Sequence, residues 1–414
     1  MIAVLDLALL HLAKRTGLHG AEHLAMAMIG AASSWLSWGV DSAPLRLLWI
    51  LLLPVCWGLS QRRSSAYLLA LCYYLAGARD MVGGANVFYG DATPVWFGWV
   101  MLTLSSALLA LPFGVLWTYE KNRRPFRFLM AVCAVTLPPL GTFAWLTPLA
   151  VAGALFPQMG WAGLMLLGVL FSVLVARRWS WAFTVAVVAL AANLLSGNPD
   201  VEPPIRWGGM DTSFAKLSGA GDDDAAQKLE ALGRVNWVAR SVEDMPENSV
   251  LLLPETVLGN LDGVGRAALQ DTEITLRARG SRILVGAELS LPNGQYQNAM
   301  VVLGAQRGED RAAIQSIPLP VTMWKPWAAD GAVADLLGRG NTIAVNGQRV
   351  GVAICHEQLL SFSLIRLMLD QPTVIAAASN VWWAATTTIP IIQQQTVQAF
   401  GRLFGIAVIS ARNI

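Results

Sequence analysis

The feature that most constrains this chain is a succession of long apolar segments before Ser196. Hydrophobic residues make up 55% of the sequence and charged residues only 14%, which is too apolar for an average soluble protein. Because roughly 20 apolar residues span a bilayer, these segments predict an N-terminal α-helical bundle of about seven transmembrane helices. The predicted spans cover residues 21–40, 44–60, 64–78, 94–119, 126–153, 160–176 and 181–196. Pro138 and Pro139 interrupt the fifth span and predict a kink there.

The distribution of lysine and arginine between these segments predicts how the bundle is oriented. Short cytoplasmic loops collect basic residues, and here the basic clusters fall in alternate loops. The clusters are Lys14 and Arg15; Arg62 and Arg63; Lys121, Arg123, Arg124 and Arg127; and Arg177 and Arg178. We therefore expect a multi-pass protein of a bacterial inner membrane, with a cytoplasmic N-terminus and with everything after Ser196 in the periplasm.

The composition changes after Gly197 to that of an ordinary globular domain, which predicts a boundary between a helical bundle, residues 1–197, and a second domain, residues 198–414. Short β-branched runs predict strands at 250–253, 283–287, 299–303, 350–354, 373–377 and 406–409. Helical periodicity at 224–240, 265–279, 359–369 and 391–404 makes this a layered α/β domain. The net charge of +2, without a long basic run, argues against a nucleic-acid partner.

Three reactive side chains stand out in the second domain. Glu255 and Cys355 follow apolar strands, where α/β folds usually build their sites, and Lys325 lies between Trp324 and Trp327. Each has a less specific interpretation: the cysteine as a buried small hydrophobe, the glutamate as a solvated turn residue, the lysine as a surface cation–π pair. A nucleophilic thiolate, however, needs a base and a nearby positive charge. Together, Glu255 would take the thiol proton, Cys355 would attack a carbonyl or nitrile carbon, and Lys325 would stabilise the oxyanion.

The order of these residues resembles the nitrilase, or carbon-nitrogen hydrolase, superfamily, whose members show P-E, then a lysine, then C-x-E. The resemblance covers roughly residues 205–414. It implies a nitrilase-like αββα sandwich with a catalytic triad of Glu255, Lys325 and Cys355. Supporting positions that match the family's pattern are Asn298, Glu357, Asn380 and Trp383.

With the predicted membrane half included, the architecture is similar to that of the apolipoprotein N-acyltransferases and of the TraB family of conjugal transfer proteins. The resemblance implies that Cys355 accepts an acyl group from a membrane phospholipid as a thioester and passes it to an amine. The implied partners are phospholipid and either lipoproteins or proteins of the conjugation apparatus. We expect neither a cofactor nor a metal. The alternative is a non-enzymatic membrane component of the conjugation apparatus that keeps a degenerate nitrilase scaffold.

The sequence departs from the acyltransferase pattern at several positions. A second glutamate is expected eight residues after the lysine, but that position is Val333, and only Asp330 and Asp335 lie near it. His356 replaces the usual aromatic residue beside the nucleophile; it is either a group that titrates near neutral pH or one that fills the same space, and we favour the second interpretation. The family's strands continue past the position of Ile414, so the sandwich is open at its edge, closed by a partner, or truncated. Loss of the second glutamate favours the non-enzymatic alternative.

Overall fold

The computed structural model describes residues 19–39, 41, 43–90, 93–214, 224–338 and 341–414. The chain forms two compact units. The helical unit contains the chain up to Pro199 together with Thr386–Gly405, and the α/β unit contains Asp200–Ala385 together with Ile406–Ile414. The sequence predicted one continuous second domain from residue 198, whereas the structure assigns a helix from within that stretch to the helical unit.

The helical unit is built from long and short helices. In chain order they are α1 (His19–Trp38), α2 (Leu52–Leu59, preceded by the 3-10 helix Pro44–Leu51), α3 (Arg63–Gly77), α4 (Met81–Tyr89), α5 (Trp96–Val115), α6 (Arg124–Thr136), α7 (Val151–Leu155), α8 (Gly160–Val175) and α9 (Trp179–Leu195). α1 and α3 approach closely at Gly30, where a Cβ would lie 2.1 Å from the carbonyl oxygen of Leu69. Aromatic residues fill the core, as where the rings of Trp57 and Phe128 lie 5.3 Å apart.

The predicted apolar segments fold as helices with one exception. The fifth, residues 126–153, is not a single kinked helix: α6 ends at Thr136, and α-helix resumes only at Val151. Leu137 adopts an extended conformation because it precedes a proline, and neither Pro138 nor Pro139 has an N–H group to continue the helical ladder. The predicted kink is therefore wrong, and a break takes its place.

The helices of this unit differ in whether they are long enough to cross a membrane. Within the described residues, α5 alone is long and apolar enough to cross a bilayer. The pair Pro148–Leu155 and Gly160–Val175 qualifies only as one span bent by 116°, and the apolar helices Pro44–Leu59 and Trp179–Leu195 are shorter. The seven-span topology and its orientation stay predictions, and the first basic cluster, Lys14 and Arg15, lies outside the described residues.

The α/β unit contains two mixed sheets. The strand order of the first is β1 (Trp207–Gly209), β2 (Val250–Leu252), β3 (Arg282–Ser290), β4 (Tyr296–Leu303) and β5 (Ala312–Ile314), and that of the second is β6 (Thr342–Val345), β7 (Gln348–Ile354), β8 (Val374–Asn380) and β9 (Ala407–Asn413). β1 to β3 are parallel, as are β7 to β9, and the other neighbours are antiparallel. All six predicted strands are confirmed, whereas β1, β5 and β6 were not predicted.

The two sheets pack face to face, and helices cover their outer faces. Apolar side chains of both sheets share one core, to which β4 contributes Met300 and β7 contributes Val352. A second core lies between the first sheet and the helices α10 (Asp224–Ser241) and α12 (Gln270–Ala278), and the short helix α11 (Gly263–Ala268) contributes no residue to it. On the second sheet, α13 (Ser361–Leu369) places Leu367 against Gly351 of β7. The predicted αββα layering is therefore present.

α14 (Ile389–Phe404) joins β8 to β9 in the sequence but packs within the helical unit. Gly153 of α7 allows this packing, because a Cβ there would lie 2.0 Å from the carbonyl oxygen of Ala399. At the start of the helix, the Asp80 carboxylate accepts hydrogen bonds from the Thr388 backbone N–H at 2.8 Å and from its hydroxyl at 2.6 Å. Polar and close-packed contacts thus hold both ends of α14.

The segment that follows β2 lies against β3 at Gly286. A Cβ on Gly286 would lie 2.2 Å from the backbone nitrogen of Thr256 and 2.4 Å from the Cα of Glu255. We expect Gly286→Ala to displace this segment and to lower the free energy of unfolding by about 1–3 kcal/mol, the usual cost of overpacking. Gly233→Ala in α10 is the control, because no atom lies within 4 Å of the position that its added methyl group would take. Equal thermal unfolding midpoints for the two variants would contradict the close approach.

Candidate active site

Glu255 lies three residues beyond the end of β2, where the backbone turns at Thr256, a non-glycine residue with a φ of 56°. The glutamate is only 4% exposed. Its Oε1 accepts a hydrogen bond from Asn298 Nδ2 at 2.6 Å, and its Oε2 accepts one from the backbone N–H of Asn380 at 2.9 Å. Because a buried carboxylate is stable only when its oxygens are hydrogen-bonded, these donors fix the position of the Glu255 side chain.

Cys355 ends β7 and begins the 3-10 turn Cys355–Leu359. Its φ of 45° lies in the left-handed region that non-glycine residues seldom adopt. Such strain persists only where the surrounding structure holds it, and it clusters at active sites. The half-buried thiol donates a hydrogen bond to the Glu255 carboxylate. The structure therefore brings together the two residues for which the sequence predicted the roles of nucleophile and base, and those roles stay a prediction.

The environment of Glu255 changes its acidity. Burial disfavours the charged form and raises the pKa of Glu255 to about 7. The hydrogen bonds from Cys355, Asn298 and Asn380 act in the opposite direction, and the charge of Glu288 raises the pKa further. A carboxyl group with a pKa near 7 is suited to accept and return a proton at neutral pH, as a general base must.

Glu357 holds the turn that carries Cys355. It is 3% exposed, and its Oε1 accepts hydrogen bonds from the backbone N–H groups of Ser316 at 2.9 Å and Ile317 at 3.1 Å. Its Oε2 accepts from the backbone N–H of Ile354 at 3.1 Å. Burial raises the pKa of Glu357 to about 7, against the lowering effect of these three donors. Because Ile354 directly precedes the cysteine, Glu357 positions the backbone on the N-terminal side of the nucleophile.

A chain of polar groups connects Glu255 to the end of β7. Asn298 of β4 donates to Glu255 and also to Gln315 Oε1, at 2.8 Å, and Gln315 Nε2 donates to the carbonyl of Ile354 at 3.0 Å. Gln315 is 1% exposed and was not predicted, because it follows a three-residue strand and belongs to no recognisable motif. Removing either amide would leave a buried partner unsatisfied, which is costly.

Asn380, at the end of β8, contributes its side chain as well as its backbone. Its Nδ2 donates to the hydroxyl of Thr256 at 2.6 Å, and its Oδ1 accepts from Asn413 Nδ2 at 2.9 Å. Thr256 and Asn413 were not predicted as site residues. Trp383, which was predicted, is half-buried in the 3-10 turn Trp382–Ala384 just beyond β8.

Lys325 lies in the long connection between β5 and β6 and is half-buried. This connection packs beside β4, since Ala332 pairs with Tyr296 and the Val333 N–H donates to the Tyr296 carbonyl at 2.9 Å. In the part of the chain that the structure describes, the Lys325 ammonium makes no hydrogen bond or ion pair. The structure therefore does not join Lys325 to the other two residues of the predicted triad, and its role stays a prediction.

A second carboxylate lies near Glu255 at a position that the sequence did not suggest. Glu288 of β3 is the register partner of Asn298 and is half-buried, and its charge raises the pKa of both Glu255 and Tyr296. Burial raises the pKa of Glu288 itself. The sequence did not single out Glu288, because only the three-dimensional register of β3 and β4 places it beside the site.

Two relatives resemble this chain over most of its length. The chain is 30% identical over 365 residues to the probable conjugal transfer protein TraB of Sinorhizobium fredii, and the match covers 85% of this chain and 88% of that protein. The chain belongs to the TraB family. It is also 29% identical over 387 residues to the conjugal transfer protein TraB of Agrobacterium fabrum, with 88% of this chain and 86% of that protein covered. No protein-family model matches the chain.

Among solved structures, this TraB-family chain is similar to a mutant amidase of the nitrilase superfamily from Nesterenkonia AN1. That match has a TM-score of 0.35 and 12% identity and covers 51% of this chain and 78% of the amidase. A carbon-nitrogen hydrolase from Helicobacter pylori G27 matches with a TM-score of 0.34 and 12% identity, covering 50% of this chain and 72% of the hydrolase.

The contact between Glu255 and Cys355 predicts how the thiol of this TraB-family protein reacts with an alkylating agent. We expect the rate of Cys355 alkylation by iodoacetamide to rise with pH around 7, because Glu255 accepts the thiol proton only after losing its own. In Glu255→Gln this rise should vanish, and the rate at neutral pH should fall by about 10²-fold. Mass spectrometry of the labelled peptides measures both rates, with the exposed Cys133 as internal control. An unchanged profile in the variant would exclude Glu255 as the base.

The same measurement tests the influence of Glu288. Because its negative charge raises the pKa of Glu255, Glu288→Gln should shift the midpoint of the Cys355 alkylation profile to lower pH. Glu247→Gln, which removes an equal charge from an exposed position of the same unit, should leave the midpoint in place. Identical midpoints for wild type and both variants would show that Glu288 does not act on the site.

Proposed function

We propose that this TraB-family chain is a membrane-bound acyltransferase that carries an acyl group on Cys355. The observation that carries the proposal is the hydrogen bond between the Cys355 thiol and a buried carboxylate whose pKa is near 7. The strained φ of Cys355 adds support, because it directs the nucleophile out of the strand at a backbone cost that a purely structural cysteine does not require.

The proposed reaction has two half-reactions. As the Cys355 sulfur attacks the ester carbonyl carbon of a phospholipid, Glu255 takes the thiol proton. The C–S bond forms, the ester C–O bond breaks, and Glu255 returns the proton to the departing lysophospholipid oxygen. An amine then attacks the thioester: the C–N bond forms, the C–S bond breaks, and the amine's proton passes through Glu255 back to the Cys355 sulfur. Each half-reaction leaves Glu255 as it began.

The surrounding residues receive supporting roles in this proposal. Lys325 would stabilise the oxyanion of each tetrahedral intermediate, after its connection moves the ammonium toward the sulfur. Asn298 and the Asn380 backbone orient Glu255, as their hydrogen bonds suggest. Glu357 positions the nucleophile's turn through the Ile354 N–H. We propose that Trp383 borders the acyl pocket.

The proposal includes a membrane anchor, because a lipid donor must reach the site from a bilayer. Apolar side chains on the helical unit support lipid contact: Trp96 and Trp99 on α5 are 61% and 57% exposed, and Phe183 and Leu194 on α9 are 71% and 74% exposed. We propose an inner-membrane protein with a cytoplasmic N-terminus and a periplasmic α/β unit, in accord with the alternating basic clusters.

The family assignment suggests where this chemistry is used. Both relatives are named conjugal transfer proteins, so we propose that this chain acts in conjugal transfer. Its acceptor is then an amine on a lipoprotein or on another protein of the conjugation apparatus.

The second candidate is a non-enzymatic membrane component of that apparatus. It is favoured by two observations: Val333 stands where the acyltransferases have a glutamate, and Lys325 forms no ion pair within the described residues. Against it stands the joint presence of a strained cysteine and a buried glutamate, since each carries an energetic cost that a pure scaffold does not need.

An acyl thioester distinguishes the two candidates. We expect protein purified from membranes to carry a hydroxylamine-sensitive acyl group on the peptide that contains Cys355, as seen by mass spectrometry. The adduct should disappear in Cys355→Ala and fall by about 10²-fold or more in Glu255→Gln. Cys133→Ala, an exposed cysteine of the helical unit, should retain both the adduct and the conjugation frequency of wild type. An unmodified Cys355 and a fully active Cys355→Ala would leave the scaffold as the function.

A further inference from the structure

A large cavity lies within the helical unit, among the ends of several helices. It has a volume of about 920 Å³. Its walls come from the start of α1, the end of α2, the turn before α6 and the end of α8. These helix ends carry three of the basic clusters that predict the cytoplasmic face of the bundle. The cavity contains none of the residues of the candidate active site.

The charges that line this cavity are almost all positive. The basic lining residues are Lys121, Arg124, Arg177 and Arg178. Among the described residues that line the cavity, Glu22 alone is acidic, and its carboxylate accepts a hydrogen bond from the Gln61 backbone N–H at 2.8 Å. Within the described chain, neither Lys121 nor Arg178 has a side-chain hydrogen bond or ion pair. Lys121, Arg124 and Arg178 therefore bring positive charge to the cavity without a carboxylate partner among the described residues.

Arg124 is a cation whose position at the cavity is fixed by its contacts. It is 9% exposed, its Nε donates to the carbonyl of Thr118 at 2.9 Å, and one terminal nitrogen donates to the carbonyl of Gly58 at 2.7 Å. The guanidinium also lies over the ring of Trp117, 4.7 Å from its centroid. These partners are neutral, so they hold the side chain in place without cancelling its charge.

Beside the basic residues, the cavity has an apolar wall that includes Met26, Leu59 and Val173. A site with cations at one side and aliphatic groups at the other is complementary to an anionic headgroup joined to an alkyl chain. Basic pockets between membrane helices on the cytoplasmic side bind lipid phosphates in this way.

We propose that this cavity binds the phosphate of an anionic glycerophospholipid headgroup. Lys121 and Arg178 contact the phosphate, Arg124 adds a fixed positive charge behind it, and the apolar wall receives the start of an acyl chain. The site is separate from the thioester chemistry proposed for Cys355, so either proposal stands without the other.

The test uses the full chain in detergent, incubated with mixed micelles of equal phosphatidylglycerol and phosphatidylcholine. After repurification, lipid mass spectrometry measures the ratio of the two retained lipids. We expect the wild type to enrich phosphatidylglycerol and Lys121→Gln/Arg178→Gln to lose about tenfold or more of that enrichment, since each basic residue near an anionic lipid contributes about fivefold. Arg63→Gln/Arg127→Gln removes the same charge from residues outside the cavity and should keep it.

The outcomes separate the possible sources of the anion. One outcome is that millimolar inorganic phosphate or glycerol 3-phosphate competes with phosphatidylglycerol for the wild type but not for the cavity variant. That result supports the phosphate site but assigns it to a soluble ligand. Equal loss in both double variants overturns the proposal, because surface charge then explains the preference. If the cavity variant does not fold, the lipid ratio retained by the wild type tests the proposal by itself. A wild type that does not enrich phosphatidylglycerol over phosphatidylcholine overturns the site.

Discussion

The hydrogen bonding of the buried Glu255 carboxylate is the interaction on which the geometry of the candidate site depends. Its partners come from three distant parts of the chain: Asn298 on β4, Asn380 at the end of β8, and Cys355 after β7. The first belongs to one sheet and the other two to the second sheet. Because an unpaired buried carboxylate is unstable, both sheets must close in register before Glu255 is satisfied. The Cys355 thiol therefore reaches its correct geometry only when the two sheets have assembled in the correct register.

The burial of carboxylates at this site makes the stability of the fold depend on pH. Burial raises the pKa of both Glu255 and Glu357 to about 7, from an ordinary value of 4.5. Between these values the folded protein binds more protons than the unfolded chain, so the stability these groups contribute is fully present below about pH 4.5 and is lost as the pH rises to about 7. The ionised state in which Glu255 accepts a proton is thus the state that the fold favours least. The proposed role of Glu255 as a base at neutral pH is therefore opposed by local stability, as is common at active sites.

The sequence predicted the parts of this design that follow local rules. Apolar β-branched runs predicted six of the strands, and strand-end position together with residue order singled out Glu255 and Cys355. β1, with two glycines, and the three-residue β5 carry too little pattern to be recognised. Glu288 and Gln315 lie near the site only because of how the strands pair. From the sequence alone, a polar residue on or beside a strand is expected to face solvent. Lys325 is the opposite case. The sequence pattern singled it out, but its ammonium makes no hydrogen bond or ion pair within the described residues.

Helix α14 shows most clearly what local pattern leaves out. Its periodicity correctly predicted a helix between β8 and β9, and the ordinary expectation for such a crossover is that it covers the sheet. Its buried side chains, including Ile392 and Phe400, instead pack in the helical unit. The chain therefore leaves β8 just after Asn380 and returns through β9 to Asn413, and these two amides hydrogen-bond to each other. A helix of the helical unit therefore lies, along the chain, between two residues of the hydrogen-bonded network around Glu255.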